Sequence, residues 1–415
     1  MGSLTFSLLA LAACGKSPGP AVPTQSDAVL FEGARLITGT GAEPIEKSAF
    51  VVADGRFVAV GVAGQVAAPE GAKRVDLSGA TVVPAIIDAH THLSTTRDAL
   101  IEDLKRRAYY GVGAALSLGS DDASAPLEIR DEVVPGAARY RSAGLGITSP
   151  EQGRSQVHWV TTEDAARDAV RTEAARNVQI VKIWVDDRDG KYEKLSPTLY
   201  RAVIDEAHKN GLKVAAHIFA LEDAKELLRA GVDIFAHGVR ERDIDDEFVA
   251  LIKERPNVVL IPNLPNRGVA ADLSWLAASL SPEELAKLEE SFKDNPKAQQ
   301  TFGIQARNLS RLAGEGVTIA LGTDGNTPWA PHMELEDVVA AGLSPAEAII
   351  AATRNSAAVI GLNDVGTIES GKSADFVVLD ANPIEDIRNT RRITSVYLRG
   401  DSVNRAAATS EASGT

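Results

Sequence analysis

The chain has 415 residues, 44% hydrophobic and 24% charged, with a formal net charge of −14. That length suffices for one large domain with a small accessory one, and so acidic a chain argues against a nucleic-acid partner, because phosphate binding needs a basic surface. The single cysteine, Cys14, excludes both an intrachain disulfide and a thiolate zinc site.

The run LTFSLLALAA at positions 4–13 is far shorter than the ~20 apolar residues that span a bilayer as a helix. It fits the apolar region of a signal peptide instead. Leu11-Ala12-Ala13-Cys14 has the pattern of a bacterial lipoprotein signal, although Met1-Gly2-Ser3 carries no basic residue. Residues 1–27 are therefore expected to be a signal peptide and a Pro-rich tether. A lipid on Cys14 would be the chain's only membrane contact, holding it in the bacterial periplasm or at the cell surface.

From position 28 to 83 short β-runs alternate with turns, as in SAFVVADGRFVAVG, where Asp54-Gly55 signals a hairpin. A similar stretch recurs over 364–405 (GTIESGKSADFVVLDANP, then ITSVYLRGDSV). The two are expected to form one small β-sandwich domain from both chain ends. Between them, over 84–363, strands alternate with helices, which favours a parallel sheet closed as an α/β (β/α)8 TIM barrel. Strands are expected near Val82–His90, Gly113–Leu118, Tyr140–Ile147, Val178–Trp184, Lys213–His217, Asp233–His237, Val258–Asn263 and Val317–Thr323. Ser196-Pro197, Ser281-Pro282 and Ser344-Pro345 mark helix starts, two of them with the capping-box glutamates Glu284 and Glu347.

Active sites of such barrels form at the C-terminal ends of the strands. His90 and His92 close the first strand in AIIDAHTHL, two apart and so on one face. His217 closes KVAAHIF, His237 closes DIFAHGV, and Asp324 follows ALGT. A lone histidine beside an apolar run is usually a core residue, but four histidines and an aspartate at the strand ends of one barrel point to a metal centre. Lys182 stands inside NVQIVKIWV, where an uncompensated ammonium costs several kcal/mol. Its side chain either snorkels to water or loses its charge, and the second fits a site that needs an anionic bridge.

His-x-His, the buried Lys, two single His and a terminal Asp, in this order, resemble the amidohydrolase superfamily. The nearer resemblance is to its imidazolonepropionase-like and Xaa-Pro or Xaa-Arg dipeptidase branch. It rests on VVPAIIDAHTHL, VKIW, VAAHIF, DIFAHG, ALGTDG, LSPAEAIIAAT and GTIESGKSADFVVLDANP, and spans about Phe31 to Arg399. Two segments depart from the pattern: Ala85 follows Pro84 where the family has Gly, and Gln152–His158 replaces a GGH-like segment. The resemblance implies two divalent metal ions, Zn2+ or else Mn2+, Co2+ or Fe2+. His90, His92 and Asp324 would hold one and His217 and His237 the other. A carbamate formed from CO2 on Lys182 would bridge them, and Asp324 would serve as general base and acid for a bridging hydroxide. The implied reaction is hydrolysis of an amide C–N bond in a small molecule such as a dipeptide or N-acyl amino acid, by a homo-oligomer. His158, Trp184 and Arg267 are candidate substrate contacts, with Phe219, Arg240, Asn263 and Trp329 also on strand-end loops; His208 and His332 read as structural or capping residues. Rival readings are a cyclic-amide hydrolase, a heterocycle deaminase and a non-catalytic ligand-binding lipoprotein. Deaminases of this type carry an acid three residues after the fifth-strand histidine, where this chain has Ala220.

Overall fold

The alternation of strand and helix signals becomes a set of parallel strands, several of them buried on both faces, in the computed structural model, which describes residues 28–121, 124–154 and 156–406. Eight of them carry the site: β1 (Ile86–Thr91), β2 (Val112–Ser117), β3 (Arg139–Ser142), β4 (Ile180–Val185), β5 (Lys213–Ile218), β6 (Ile234–Phe235), β7 (Val259–Leu260) and β8 (Thr318–Ile319). Every residue of β1, β2 and β4 is buried. β1, β2 and β3 form one parallel sheet, and β4 to β8 lie side by side in a second. Backbone hydrogen bonds link the two sheets at both edges. Gln179 N–H donates to Ser142 O (3.1 Å) at the junction of β3 and β4, and Ala89 N–H donates to Leu321 O (2.9 Å) between β1 and the segment after β8.

Helices follow the strands, and their ends are set by the expected chemistry. The Ser196 side chain accepts from Leu199 N–H, and Ser281 and Ser344 each complete a capping box with Glu284 and Glu347. Helix Leu221–Ala230 stops at Gly231, whose φ of 103° is open chiefly to glycine.

Two of the expected strands are divided. Thr81–Pro84 pairs with Phe376–Leu379 in a different sheet, and β1 begins only at Ile86. Pro84 has no N–H to continue a ladder, so the chain changes sheet there. The stretch expected as Tyr140–Ile147 splits into β3 and the short strand Ile147–Thr148, which pairs with β4. Gly144 lies between them at φ 61°, where an added Cβ would collide with the Glu173 carboxylate.

The chain ends meet in a five-stranded sheet holding Arg35–Leu36 and Thr81–Pro84 beside Phe376–Leu379, Ile393–Leu398 and Asp401–Ser402. Its Phe376 packs edge-on against Phe31 and Phe50, both 5.2 Å away, from the four-stranded sheet Val29–Glu32, Ser48–Ala53, Arg56–Val62 and Lys73–Asp76. Such aromatic contacts add to the area they bury. The lipoprotein signal around Cys14 lies outside the described residues.

Below the strand ends, Asp88 and Arg107 form an ion pair at 3.3 Å with both side chains fully buried. Asp88 also accepts Thr323 Oγ1–H (2.7 Å) and Thr323 N–H (3.2 Å), while Arg107 donates to Gly325 O (3.1 Å). Burial pushes the carboxyl up and the guanidinium down in pKa, each against the pull of its partner. Such a pair adds little net stability, yet stranding one member is costly. Arg107→Ala should therefore lower the unfolding free energy by about 3–5 kcal/mol, measured from denaturant midpoints. A loss no larger than that of an exposed pair, about 1 kcal/mol or less, would show that the pair does not hold these segments together.

Candidate active site

Residues two apart on a strand share a face, so His90 and His92 both project from the end of β1 toward Asp324. His90 Nε2 and His92 Nε2 lie 3.1 Å and 3.0 Å from Asp324 Oδ1, and His237 Nε2 lies 3.4 Å from Oδ2. Lys182 Nζ, fully buried on β4, is 3.5 Å from His90 Nε2. His217 and His237 face each other edge-on with ring centroids 4.6 Å apart. His217 Nε2–H donates to Asp186 Oδ2 (3.2 Å), leaving Nδ1 with its lone pair.

The loops after the strands fix these side chains through unusual backbone. Asp324 and Asn263 both adopt left-handed conformations, with φ of 55° and 46°, which Asp and Asn tolerate better than other non-glycine residues. Asp324 N–H donates to His90 O (2.8 Å). Asn263 Oδ1 accepts from His90 Nδ1 (3.0 Å), which keeps the lone pair of His90 on Nε2, beside Asp324. Gly322 is required for close approach, because a Cβ there would sit 2.6 Å from both His90 Cβ and Ile261 Cγ2.

Burial sets the charge state of the cluster. It lowers His90 to about 3 and His217 to about 4, and takes His237 well below its ordinary value, so these rings are neutral donors. It brings the Lys182 ammonium down to about 7, against the pull of Asp324 and with help from Arg240 and Arg154. For Asp324 the neighbouring histidines outweigh burial and hold it ionised. The donor atoms of His90, His92 and Asp324 lie within 4.8 Å of one another, close enough to share a metal ion.

Above the cluster opens a cavity of about 700 Å3, with His92, His217 and Asp324 on its wall together with Ser120, Glu151, Arg154, Trp184, Arg188 and Arg240. The Arg154 guanidinium stacks 4.6 Å from the centre of the Trp184 ring. Glu151 pairs with Arg154 (3.4 Å) and Arg188 (3.2 Å), and Arg188 also pairs with Asp186 (2.7 Å). Gly119 and Gly146 give the Trp184 indole its place.

The structure thus brings together His90, His92, Lys182, His217, His237, Asp324 and Trp184. It directs two other candidates elsewhere. His158 Nε2 pairs with the buried Glu173 (2.8 Å), and Arg267 pairs with Glu336 and with Asp337 (2.7 Å); neither lines the cavity. His332 is buried, donating from Nε2 to Tyr110 O (2.9 Å), and His208 pairs with Asp233 (2.9 Å), so both are structural. Ser120, Glu151, Arg154 and Arg188 escaped the sequence reading. The signal for Arg154 was there, since it lies inside the segment that departs from the family pattern.

The model of the amidohydrolase family matches residues 81–403, and the chain belongs to that family. It is 27% identical over 389 residues to the imidazolonepropionase of Deinococcus radiodurans, covering 86% of this chain and 92% of that one. Among solved structures, a protein from Bifidobacterium longum assigned as a prolidase superposes with a TM-score of 0.75 at 27% identity, over 94% of this chain and 100% of its own. Phenylurea hydrolase B superposes with a TM-score of 0.75 at 23% identity, over 92% and 98% of the two chains. The protein is a hydrolase acting on carbon–nitrogen bonds.

The placement of Trp184 is open to a direct check. A Cβ on Gly146 would collide with its indole ring, which would have to shift to make room. Gly146→Ala should destabilise the protein by about 1–3 kcal/mol through overpacking. It should also shift indole fluorescence, and that shift should vanish in a Trp184→Phe background. An unchanged spectrum and stability would mean that the indole does not pack on Gly146.

Proposed function

We propose that this protein is a metal-dependent amidohydrolase that cleaves the C–N bond of a small acyclic amide, such as a dipeptide or an N-acyl amino acid. The observation that carries this reading is the convergence of His90, His92 and Asp324 donor atoms within 4.8 Å of one another on the wall of an open cavity.

Divalent metal fits the residues present. Both ring nitrogens of His237 are buried without a hydrogen-bond partner, and burying unsatisfied polar atoms costs about 1–3 kcal/mol each. Lys182 is fully buried with no carboxylate in ion-pairing range among the described residues. The neutral imidazoles suit Zn2+, or Mn2+, Co2+ or Fe2+. In this reading His90, His92 and Asp324 would hold one ion and His217 and His237 a second, with a carboxylated Lys182 as a further ligand. When bound, the metal supplies Lewis acidity, lowering the pKa of a water and polarising the scissile carbonyl. Asp324, ionised at neutral pH, takes the proton from the attacking water on its carboxylate and returns it to the leaving nitrogen. Ala220 stands where a ring-protonating acid would serve deamination, which favours amide hydrolysis.

The same reading takes β1 to β8 as one closed (β/α)8 barrel, supported by the hydrogen bonds across both sheet edges. It takes the outer sheets, from 28–83 and 364–405, as a β-sandwich, supported by the packing of Phe31 and Phe50 on Phe376.

Elemental analysis of purified protein should give about two divalent ions per chain. Chelation should abolish turnover of a dipeptide and N-acyl amino acid panel. Lys182→Ala should lose most activity while still folding, and added acetate should restore part of it. Activity surviving complete metal removal would overturn the mechanism, and ammonia release from heterocyclic amines without amide cleavage would reverse the choice of reaction.

The lipid anchor on Cys14 belongs to the same proposal. In the native host Cys14→Ala should move the protein from the membrane to the soluble fraction, and wild-type protein found soluble in the cytosol would end that reading.

A further inference from the structure

The helix Ala330–Ala340, which follows Asp324 along the chain, buries an acid that the chemistry above does not use. Glu334 is in no ion pair among the described residues. Burial, with Asp337 and Asp88 nearby, pushes its carboxyl well above the usual carboxylate range. The hydrogen bonds it accepts come from the main chain. Leu264 N–H donates to both Oε1 and Oε2 at 3.1 Å, and the Asn263 N–H also favours it. Burying an acid without a cation is costly, and a leucine would fill the same core at no such cost. What Glu334 supplies instead is an acceptor for N–H groups just past the end of β7, where the ladder no longer provides one.

Those N–H groups belong to the turn that carries Asn263. Its φ of 46° is one that asparagine tolerates without preferring. Asn263 Oδ1 accepts from His90 Nδ1 (3.0 Å), while its Nδ2 is buried without a hydrogen-bond partner. The amide is therefore aimed by its own main chain, with no second contact to correct it. The same helix also takes Arg267, a little further along, through Glu336 and Asp337 (2.7 Å). On the other side of the ring, His90 Nε2 faces Asp324 at 3.1 Å. One helix thus links the residues that address both ring nitrogens of His90: Asp324 precedes it, and Glu334 within it grips the turn of Asn263.

We propose that Glu334 is a positioning residue: by holding the main chain at Asn263 and Leu264 it fixes the Asn263 amide on His90 Nδ1–H, and so aims His90 Nε2 at the ion that His90, His92 and Asp324 would share. This rests on the metal-dependent reading above and adds to the site a group that touches neither metal nor substrate.

The test reads metal affinity, with Zn2+ dissociation constants for both ions taken from chelator competition. Glu334→Met, which keeps the size but removes the acceptor, should weaken one of the two constants by on the order of tenfold to a hundredfold, the usual effect of losing an outer partner of a metal-ligating histidine. Glu334→Gln, with one oxygen left to accept, should fall between Glu334→Met and wild type. In an Asn263→Ala background, Glu334→Met should add less than about twofold, because a residue that acts through another has nothing left to act on. Losses that multiply in the double variant overturn the assignment. So do unchanged constants beside a lowered urea midpoint, which would make Glu334 a packing residue only. Should Glu334→Met fail to fold, Glu334→Gln carries the same comparison, its smaller loss present alone and absent with Asn263→Ala. If wild type binds no Zn2+, the metal reading fails by itself. Positioning is then decided on the metal-free protein by the NMR shifts of the His90 ring nitrogens. Glu334→Gln should move them away from the Nδ1–H tautomer of wild type, and unchanged shifts refute the proposal.

Discussion

Asp88 sits fully buried two residues before His90, with a carboxylate that must be satisfied where water cannot reach. It takes Arg107 from the helix Arg97–Tyr109, the His90 backbone N–H from its own strand, and both donors of Thr323 from the segment after β8. Three separate pieces of chain are therefore registered on one side chain. His90 and His92 leave β1, and Asp324 follows Thr323, so the separation between the histidines and the aspartate is set by the same carboxylate. Its desolvation is a cost that only this full set of partners offsets, and a shift of either segment would strand a buried charge. That penalty gives the cluster its rigidity.

On this frame, burial turns the site into a set of neutral imidazoles around one anion. In water the histidines would titrate near neutrality; here desolvation keeps His90, His217 and His237 unprotonated. Asp324 is partly exposed and stays ionised, with His92 Nε2–H donating to its Oδ1 (3.0 Å). Lys182 has no comparable anion, and desolvation brings its ammonium down toward neutral pH. A lysine amine that is partly unprotonated at physiological pH is a nucleophile, which is the chemical condition for reaction with carbon dioxide. The same arrangement leaves both nitrogens of His237 unpartnered. Histidine and lysine are thus left unsatisfied by the protein in complementary ways, one lacking a cation and the other lacking an anion.

Much of this was legible in the sequence, for a physical reason. Side chains at the C-terminal ends of strands interrupt continuous apolar runs, so His90, Lys182, His217 and His237 stand out against their neighbours, and their order along the chain is the order of the strands. What failed to show was whatever depends on partners distant in sequence. His158 follows the third strand just as a pocket residue would, but Glu173 on the next helix takes it. Arg267 follows β7 and is drawn off by Glu336 and Asp337. The division of Val82–His90 depends on Pro84, whose missing N–H is visible in the sequence but whose sheet partner, Phe376, lies nearly three hundred residues away. Arg154 and Arg188 gave no periodic signal because they belong to loops, where charge is ordinary.

The two left-handed residues show how the strand ends and the chemistry constrain each other. Asn263 and Asp324 occupy a conformation that glycine would adopt at less cost, yet at each position a side chain is needed: one to orient His90, the other to face three histidines. Asp and Asn resolve the conflict because they are the non-glycine residues that tolerate this region best, and the surrounding hydrogen bonds supply the remainder. Gly322, between the two loops in space, makes the opposite choice, giving up a side chain so that His90, Ile261 and Asn263 can close around it. Strain of this kind persists only where the surroundings over-determine it. Here it is the His90–Asn263 and His90–Asp324 contacts that do so, which makes the backbone of the last two strand ends part of the site rather than its support.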